Sequence, residues 1–180
     1  MKKITKNNSC SVLLMIMVVV AIFVISIVVI YRSGYRWNRT PSFPMGIWKI
    51  ERPFDPSRDL GELVLFEPPN TEVFRLARKR GYIPFGFGDG FMAPLIKRVV
   101  AIEGDEVVID ESGVYVNGRL LPKSRPFRFD QKGRALPIGK GKVLSRNEVL
   151  LMSDYNERSF DGRYFGVVFV EGWLGIVERK

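Results

Sequence analysis

The sequence predicts a mainly β domain with one short helix, preceded by a single N-terminal transmembrane helix. Two observations support this fold class. Residues 12–30 form a run of nineteen residues in which only Ser26 carries a polar side-chain group. Beyond this run, short segments rich in Val, Ile and aromatic residues are separated by Gly, Pro, Asn and Asp. With 180 residues, the chain has room for one membrane segment and one sizeable core.

The apolar run has the length of a membrane span. As a helix it would be roughly 28 Å long, close to the thickness of a bilayer's hydrocarbon core. A cleaved signal peptide is the alternative, but its apolar stretch usually has about 7 to 15 residues and ends in small residues. Here the run ends in Tyr31, Arg32 and Ser33. We therefore expect a cytoplasmic N-terminus at 1–11, an uncleaved anchor at 12–31, a juxtamembrane linker at 32–39 and a folded domain at 40–180.

The charges beside the span do not determine its orientation. Three lysines precede it and three arginines follow it, namely Lys2, Lys3, Lys6, Arg32, Arg36 and Arg39. The positive-inside rule therefore gives no preference apart from the terminal amine. An outward-facing domain is an expectation that depends on the enzymatic argument below.

The segments after the span predict the elements of the domain. Strands are expected at 47–50, 62–66, 96–102, 106–109, 114–116, 149–152, 166–170 and 174–177. Residues 71–80 predict the single helix, which ends at Gly81, and Asn117-Gly118 predicts a hairpin turn. Residues 40–46, 82–92 and 122–141 are expected to be loops. In the second of these loops, Phe85, Phe87, Phe91 and Met92 are predicted either to dip into the membrane interface or to pack in the core.

Composition excludes several classes of function. The formal net charge is +9, but from residue 33 onward 24 Lys and Arg stand against 19 Asp and Glu, mostly scattered. This favours a domain beside anionic lipid headgroups over one that binds nucleic acid. Cys10 is the only cysteine and histidine is absent. A hydrolase built from this chain therefore cannot use a Ser-His-Asp or Cys-His arrangement. We expect no metal and no organic cofactor.

Three segments contain candidates for chemistry. Ser42 lies in a loop stiffened by Pro41 and Pro44. Strand alternation places Lys97 on the same face as Val99 and Ala101, where burial would lower the pKa of its amine and let it accept a proton from a serine. By themselves, most such serines only hydrogen-bond locally, and most such lysines remain solvated.

The third segment is 159–166, SFDGRYFG. In it Asp161 and Arg163 could pair across an extended chain, and Ser159 could donate a hydrogen bond to an amine. The alternative is an ordinary turn with a surface ion pair, which contributes at most about 1 kcal/mol.

Taken in order, these segments resemble one family over nearly the whole chain. An anchor followed by S-x-P-x-G at Ser42, K-R-V-x4-G-D at Lys97 and S-x-D-x-R-Y-F-G at Ser159 resembles the type I signal peptidases, which use a Ser/Lys dyad on a β-rich fold. Residues 42–48 (SFPMGIW), 78–82 (RKRGY) and 130–137 (DQKGRALP) resemble the conjugative-transfer branch, the TraF type. Members of that branch process a pilin precursor, and some join the new ends of the pilin into a ring.

The resemblance implies a role for each candidate. Ser42 would be the nucleophile and Lys97 the general base, while Thr40 and the Ser42 backbone N–H would form the oxyanion hole. Ser159 would orient the Lys97 amine, and Asp161 with Arg163 would support that segment. The family's usual Gly-Asp-Asn is replaced by residues 153–156, SDYN, so no catalytic role is expected there.

The resemblance also implies a location and partners. The enzyme would cross the bacterial inner membrane once, with its catalytic domain on the periplasmic side. It would take a protein substrate, the pilin precursor or another exported preprotein, and could work with the conjugation or type IV secretion machinery. A general signal peptidase for exported proteins and a non-catalytic scaffold of a secretion or conjugation complex remain the alternatives.

Overall fold

The computed structural model describes residues 5–170 and 174–180, and these fall into two compact units, Met1–Arg36 and Trp37–Lys180. Lys2 and Lys3, which flank the predicted anchor, lie outside the described residues. The second unit contains all the predicted site residues.

The first unit consists mainly of helix α1 (Thr5–Arg32). Within it, the 23 residues of Cys10–Arg32 are long and apolar enough to cross a membrane. Its large apolar side chains, from Val12 to Ile30, are exposed around the helix. The hydroxyl of Ser26 donates to the carbonyl of Ile22 at 2.8 Å, which satisfies this polar group within the helix itself. These properties suit a lipid environment.

The second unit is mainly β, as the sequence predicts. Strand β1 (Tyr35–Asn38) spans the boundary between the two units. The further strands are β2 (Gly46–Pro53), β3 (Leu63–Phe66), β4 (Leu95–Ala101), β5 (Val107–Ile109), β6 (Val114–Val116), β7 (Arg119–Leu120), β8 (Glu148–Met152), β9 (Val168–Phe169) and β10 (Leu174–Arg179). Among the described residues they form a seven-stranded sheet, in the order β1-β2-β10-β3-β4-β8-β9, and a three-stranded sheet, β5-β6-β7. The Asn117-Gly118 turn joins β6 to β7, as expected, and both residues have positive φ.

Strand β4 lies inside the larger sheet, between β3 and β8, and pairs antiparallel with both. Lys97 lies opposite Val64 of β3, and Val99 lies opposite Leu151 of β8. The buried positions of β4 include Lys97, Val99 and Ala101, whereas Arg98 and Val100 are partly exposed. The alternation predicted for this strand is therefore confirmed. Every residue of β8 is buried, so the edge of β4 that pairs with β8 is not exposed to solvent.

The helices of the second unit differ in part from the prediction. Helix α2 (Glu72–Arg80) begins one residue later than expected. Gly81 caps its C-terminus, as predicted, with a φ of 82° that suits glycine. A second helix, α3 (Gly162–Phe165), was not predicted. This helix lies within residues 159–166, for which an extended chain was considered, and the expectation of an extended chain was wrong. A single turn is too short to leave a helical pattern in the sequence.

The predicted loop 82–92 contains a 3-10 turn at Asp89–Phe91 and carries three exposed rings, those of Phe85, Phe87 and Phe91. They are 50%, 97% and 67% exposed, and Phe85 packs on both of the others with ring centroids 5.8 and 5.9 Å apart. We call these three residues the aromatic cluster. The prediction of core packing is therefore wrong for the three residues of the aromatic cluster. It is confirmed for Met92, which is buried.

Candidate active site

Ser42 lies in the turn between β1 and β2 and is 7% exposed. The residues around it form a turn rather than regular structure, as two closely spaced prolines require. Phe43 packs in a buried cluster with Trp48, so the loop is held on the sheet by apolar contacts beside the serine. The loop therefore presents Ser42 from a fixed backbone.

Asn38, at the end of β1, organises this loop from the inside. Its buried amide nitrogen contacts the carbonyls of Thr40, Phe43 and Pro44 at 3.0, 3.1 and 3.2 Å. Its carbonyl oxygen accepts from the backbone N–H and the hydroxyl of Thr40, at 3.0 and 2.9 Å. One side chain thus replaces the backbone hydrogen bonds that the turn lacks. Asn38 was not predicted from the sequence, although an asparagine two residues before a Thr-Pro turn is a recognisable signal.

A second support comes from the segment after β8. The hydroxyl of Ser153 donates to the carbonyl of Ser42 at 2.6 Å and accepts from the backbone N–H of Asn156 at 3.0 Å. The amide of Asn156 donates to the carbonyl of Pro41 at 3.1 Å. Residues 153–156, for which no catalytic role was expected, therefore fasten the Ser42 loop to the sheet through its backbone.

Lys97 points from β4 toward Ser42 and is completely buried. Its Nζ donates to Ser42 Oγ and to Ser159 Oγ, at 2.8 Å in each case. The two hydroxyls are 3.0 Å apart, with Ser159 donating to Ser42. The structure thus brings three predicted site residues, distant in sequence, into one hydrogen-bonded triangle. The solvated-lysine alternative is wrong.

Burial lowers the pKa of the Lys97 amine from 10.5 to about 8. Loss of hydration is the main cause, because the ammonium form is the one that water stabilises. The charge of Asp161 raises this pKa, and the charge of Arg163 lowers it. Near pH 8 a substantial fraction of the amine is therefore neutral and able to accept a proton.

Asp161 and Arg163 form a fully buried ion pair beside this triangle. Asp161 is the N-cap of α3, and two guanidinium nitrogens of Arg163 bind its carboxylate at 2.8 and 3.1 Å. The carboxylate also accepts from the backbone N–H of Ser153 at 3.0 Å, and Arg163 donates to the carbonyl of Glu157 at 2.6 Å. The pair therefore ties the segment carrying Ser159 to the segment that supports Ser42. The alternative of a surface ion pair is wrong.

Thr40, the predicted oxyanion donor, is buried but already occupied. Its hydroxyl donates to the Asn38 carbonyl oxygen at 2.9 Å, and a hydroxyl has one proton to give. Donation to an oxyanion therefore requires the hydroxyl proton of Thr40 to rotate away from Asn38, about the Cβ–Oγ1 bond. Asn38 would keep the bond from the Thr40 backbone N–H during that rotation. The role of Thr40 stays a prediction.

A cavity of about 560 Å³ opens beside Ser42. Thr40, Pro41 and Ser42 line one part of it, and Ser159 and Phe160 line another. Its size falls within the range of about 300–1,000 Å³ that is usual for ligand sites. The hydroxyl of Ser42 is thus next to a space large enough to hold a segment of peptide.

The fold agrees with the family that the chain matches. The profile of the family described as "Signal peptidase, peptidase S26" matches residues 8–179. The chain therefore belongs to the S26 signal peptidase family, which confirms the family and fold class expected from the sequence and supports a peptidase of the serine class.

Similar proteins carry the names of conjugation components. The chain is 46% identical over 141 residues to "Plasmid transfer protein TraF" of Escherichia coli, covering 77% of each chain. It is 40% identical over 147 residues to "Probable conjugal transfer protein TraF" of Sinorhizobium fredii, covering 82% of this chain and 77% of the relative. It is 33% identical over 121 residues to "Probable signal peptidase I-2" of Synechocystis, covering 67% of this chain and 46% of that protein.

Replacing Asn38 should disorder the Ser42 loop. We expect Asn38→Ala to lower the rate of peptide cleavage about 100-fold, because small displacements of a reacting group cost that much. The free energy of unfolding should fall by about 1–3 kcal/mol, because buried partners lose their hydrogen bonds. Cleavage assays and thermal unfolding test this, with Asn70→Ala, at an exposed position, as the control. Unchanged cleavage by Asn38→Ala would contradict the assignment.

Removing the buried amine should stabilise the fold at neutral pH. The lowered pKa of Lys97 means that the unfolded chain binds its proton more tightly, so its contribution to stability falls as the pH drops from 10.5 through about 8. We expect Lys97→Met to raise the free energy of unfolding at pH 7 by about 1–3 kcal/mol, less the lost hydrogen bonds.

Denaturant unfolding followed by tryptophan fluorescence measures this effect. The difference between Lys97→Met and the wild type should shrink as the pH rises from 8 toward 10.5. Lys79→Met, at an exposed lysine of α2, is the matched control and should leave the free energy of unfolding nearly unchanged. If Lys97→Met were less stable than the wild type at pH 7, the prediction would be wrong, because burial of the Lys97 amine would then carry no net cost.

Proposed function

We propose that this chain is a membrane-anchored serine endopeptidase in which Lys97 activates Ser42, and that it cleaves the leader or propeptide of a conjugative pilin precursor. The observation that carries the proposal is the 2.8 Å contact between Lys97 Nζ and Ser42 Oγ, with the lysine fully buried. A nucleophile and a base within hydrogen-bond reach, with the base oriented by a third group, is the arrangement that nucleophilic catalysis needs.

In the proposed mechanism, neutral Lys97 removes the proton of the Ser42 hydroxyl while Ser42 Oγ attacks the scissile carbonyl. Ser159 keeps the amine directed at Ser42. The Ser42 backbone N–H and the rotated Thr40 hydroxyl stabilise the oxyanion, donors of a kind typically worth about 3–4 kcal/mol each. Collapse of the intermediate leaves an ester on Ser42, and the Lys97 ammonium protonates the departing amine. Asp161 and Arg163 hold the surrounding segments in position.

The ester has two fates. Water, deprotonated by Lys97, releases a linear product. If the amine of the same substrate chain attacks instead, a peptide bond closes the product into a ring. Both routes return Ser42 to its hydroxyl form and need no cofactor.

The relatives support the choice of substrate. Two of the reported relatives are named as plasmid or conjugal transfer proteins, and each covers about three quarters or more of the chain. For this reason we propose a pilin precursor as the substrate. The enzyme would work with the conjugation or type IV secretion machinery.

Helix α1 supports membrane attachment. We propose the anchor at residues 12–31, with residues 1–11 in the cytoplasm, 32–39 as the juxtamembrane linker and the peptidase domain, 40–180, on the periplasmic side of the inner membrane. A tethered enzyme meets substrates that are themselves held at the membrane. The exposed aromatic cluster suits contact with the lipid interface, where aromatic rings are favoured.

General signal peptidase activity on exported proteins is the second candidate. It is favoured by the likeness to the signal peptidase of Synechocystis. Processing of many unrelated preproteins in cells lacking their own signal peptidase would favour this alternative, and processing of the pilin precursor alone would favour the first.

A lysine base predicts activity that rises toward alkaline pH. Since the pKa of Lys97 is about 8, kcat/KM should increase about tenfold per pH unit below 8 and level off above it. Measurement of peptide cleavage between pH 5 and 10 tests this, with unfolding monitored over the same range. A profile that is flat down to about pH 5 would exclude Lys97 as the base.

The dyad is tested by co-expression with a pilin precursor, read by intact mass. Ser42→Ala and Lys97→Ala should both abolish processing while the protein stays folded and membrane-bound. Ser57→Ala and Lys79→Ala, at exposed positions, are matched controls and should process normally. A product lighter by one water than the linear form would show ring closure. If both site variants process the precursor as the wild type does, the dyad assignment is wrong and the scaffold alternative is favoured.

A further inference from the structure

The cavity beside Ser42 has an apolar wall and a charged rim. Phe160 stacks on Tyr164 with ring centroids 5.5 Å apart and packs at a tilt against Tyr82 at 5.3 Å, and Leu136 completes this side. These rings lie where a chain bound at Ser42 would pass, because Thr40, Pro41 and Ser42 line the same cavity.

The charged residues that line the cavity are mostly cationic. Arg80, Lys132, Arg134 and Arg158 stand against the single carboxylate of Asp130. A cavity in which one sign of charge predominates concentrates the opposite charge near its walls.

The carboxylate of Asp130 is already satisfied. Arg134 binds it at 2.6 Å, the Tyr82 hydroxyl donates to it, and the backbone N–H groups of Lys132 and Arg134 donate at 2.9 and 2.8 Å. Burial alone would raise the pKa of Asp130, but these hydrogen bonds hold it well below its usual range. The charges of Asp130 and Arg134 therefore cancel, and the two side chains form part of the cavity wall.

Three cations remain without an acidic partner. In residues 5–170 and 174–180, no salt bridge joins Arg80, Lys132 or Arg158 to a carboxylate. One guanidinium nitrogen of Arg80 donates to the carbonyl of Ala135 at 2.6 Å, which holds this side chain at the rim. The guanidinium of Arg158 lies over the Phe127 ring, 4.8 Å from its centroid, which leaves its N–H edge free to bind an anion.

We propose that this cavity binds a carboxylate of the substrate chain close to the scissile bond, either an Asp or Glu side chain or a free C-terminus. Arg158 and Lys132 supply the charge, and the rings of Phe160, Tyr164 and Tyr82 take a neighbouring apolar side chain. The inference deepens the proposed function, on which it rests, by giving the substrate class as an acidic peptide segment. The position of the cavity beside the nucleophile favours a peptide over a lipid headgroup as the occupant.

Capture of peptides by the full-length Ser42→Ala protein in detergent micelles tests the proposal without requiring cleavage. The probe is a set of random octapeptides made in matched pairs, with Glu or Gln at one fixed position and with a free or amidated C-terminus. The double variant Lys132→Gln/Arg158→Gln removes the two unpaired cations that the proposal assigns to carboxylate binding and leaves Arg80, which is held by the carbonyl of Ala135. Lys79→Gln/Arg119→Gln removes the same charge from exposed positions outside it and is the matched control.

We expect peptides with Glu, or with a free C-terminus, to be captured about tenfold better than their neutral partners. The preference should disappear in the cavity variant and persist in the control, and the Glu and free-terminus arms identify which carboxylate is bound. Equal capture of the paired peptides, or a preference that survives in the cavity variant, would overturn the proposal. Binding of phosphatidylglycerol vesicles without selective capture of acidic peptides would also overturn it.

The same experiment separates the two proposals. Selective capture by Ser42→Ala, combined with a wild-type protein that cleaves none of the captured peptides and no pilin precursor, would support the acidic-peptide site and refute the peptidase. Cleavage of the precursor without any selectivity for acidic peptides would refute the site and leave the peptidase standing.

Discussion

Burial of the Lys97 amine inside the sheet is the constraint on which the arrangement of the site depends. An ammonium removed from water is costly unless it is bound by polar groups or loses its proton. The structure supplies two hydroxyls at 2.8 Å, from Ser42 and Ser159, and each comes from a different part of the chain. Strand β4 must therefore run between β3 and β8, because only an interior strand can carry this side chain away from solvent on both sides.

The electrostatics around the amine are balanced rather than simply apolar. Burial is the main cause of the lowered pKa of Lys97, and Asp161 and Arg163, which bind each other closely, act on that pKa in opposite directions and partly cancel. Such a pair holds its segment together strongly, since loss of one partner would leave the other buried and uncompensated. The same residues thus fix the geometry of Ser159 and keep the proton affinity of Lys97 in a useful range.

Much of this arrangement could be predicted from the sequence. The alternation of apolar residues in β4 identified the buried face of Lys97, and the apolar run and the Gly81 stop identified α1 and the end of α2. The order of three short motifs led to the family that the chain matches.

The supports of the site could not be predicted in the same way. The contacts of Ser153 and Asn156 join positions more than a hundred residues apart, and strand periodicity carries no information about such pairs. The position of Asn38 before a Thr-Pro turn is a signal in the sequence, but the carbonyls that it contacts depend on the path of the turn. Helix α3 was missed because one turn is shorter than the window that a helical period needs.

The three exposed phenylalanine rings of the folded unit have a consequence for its behaviour in solution. The aromatic cluster of Phe85, Phe87 and Phe91 is contiguous, and exposed apolar surface of this kind promotes self-association. A fragment that begins after α1 would keep these rings. Any tendency to self-associate through these rings therefore belongs to the folded unit itself and is separate from the apolar surface of α1.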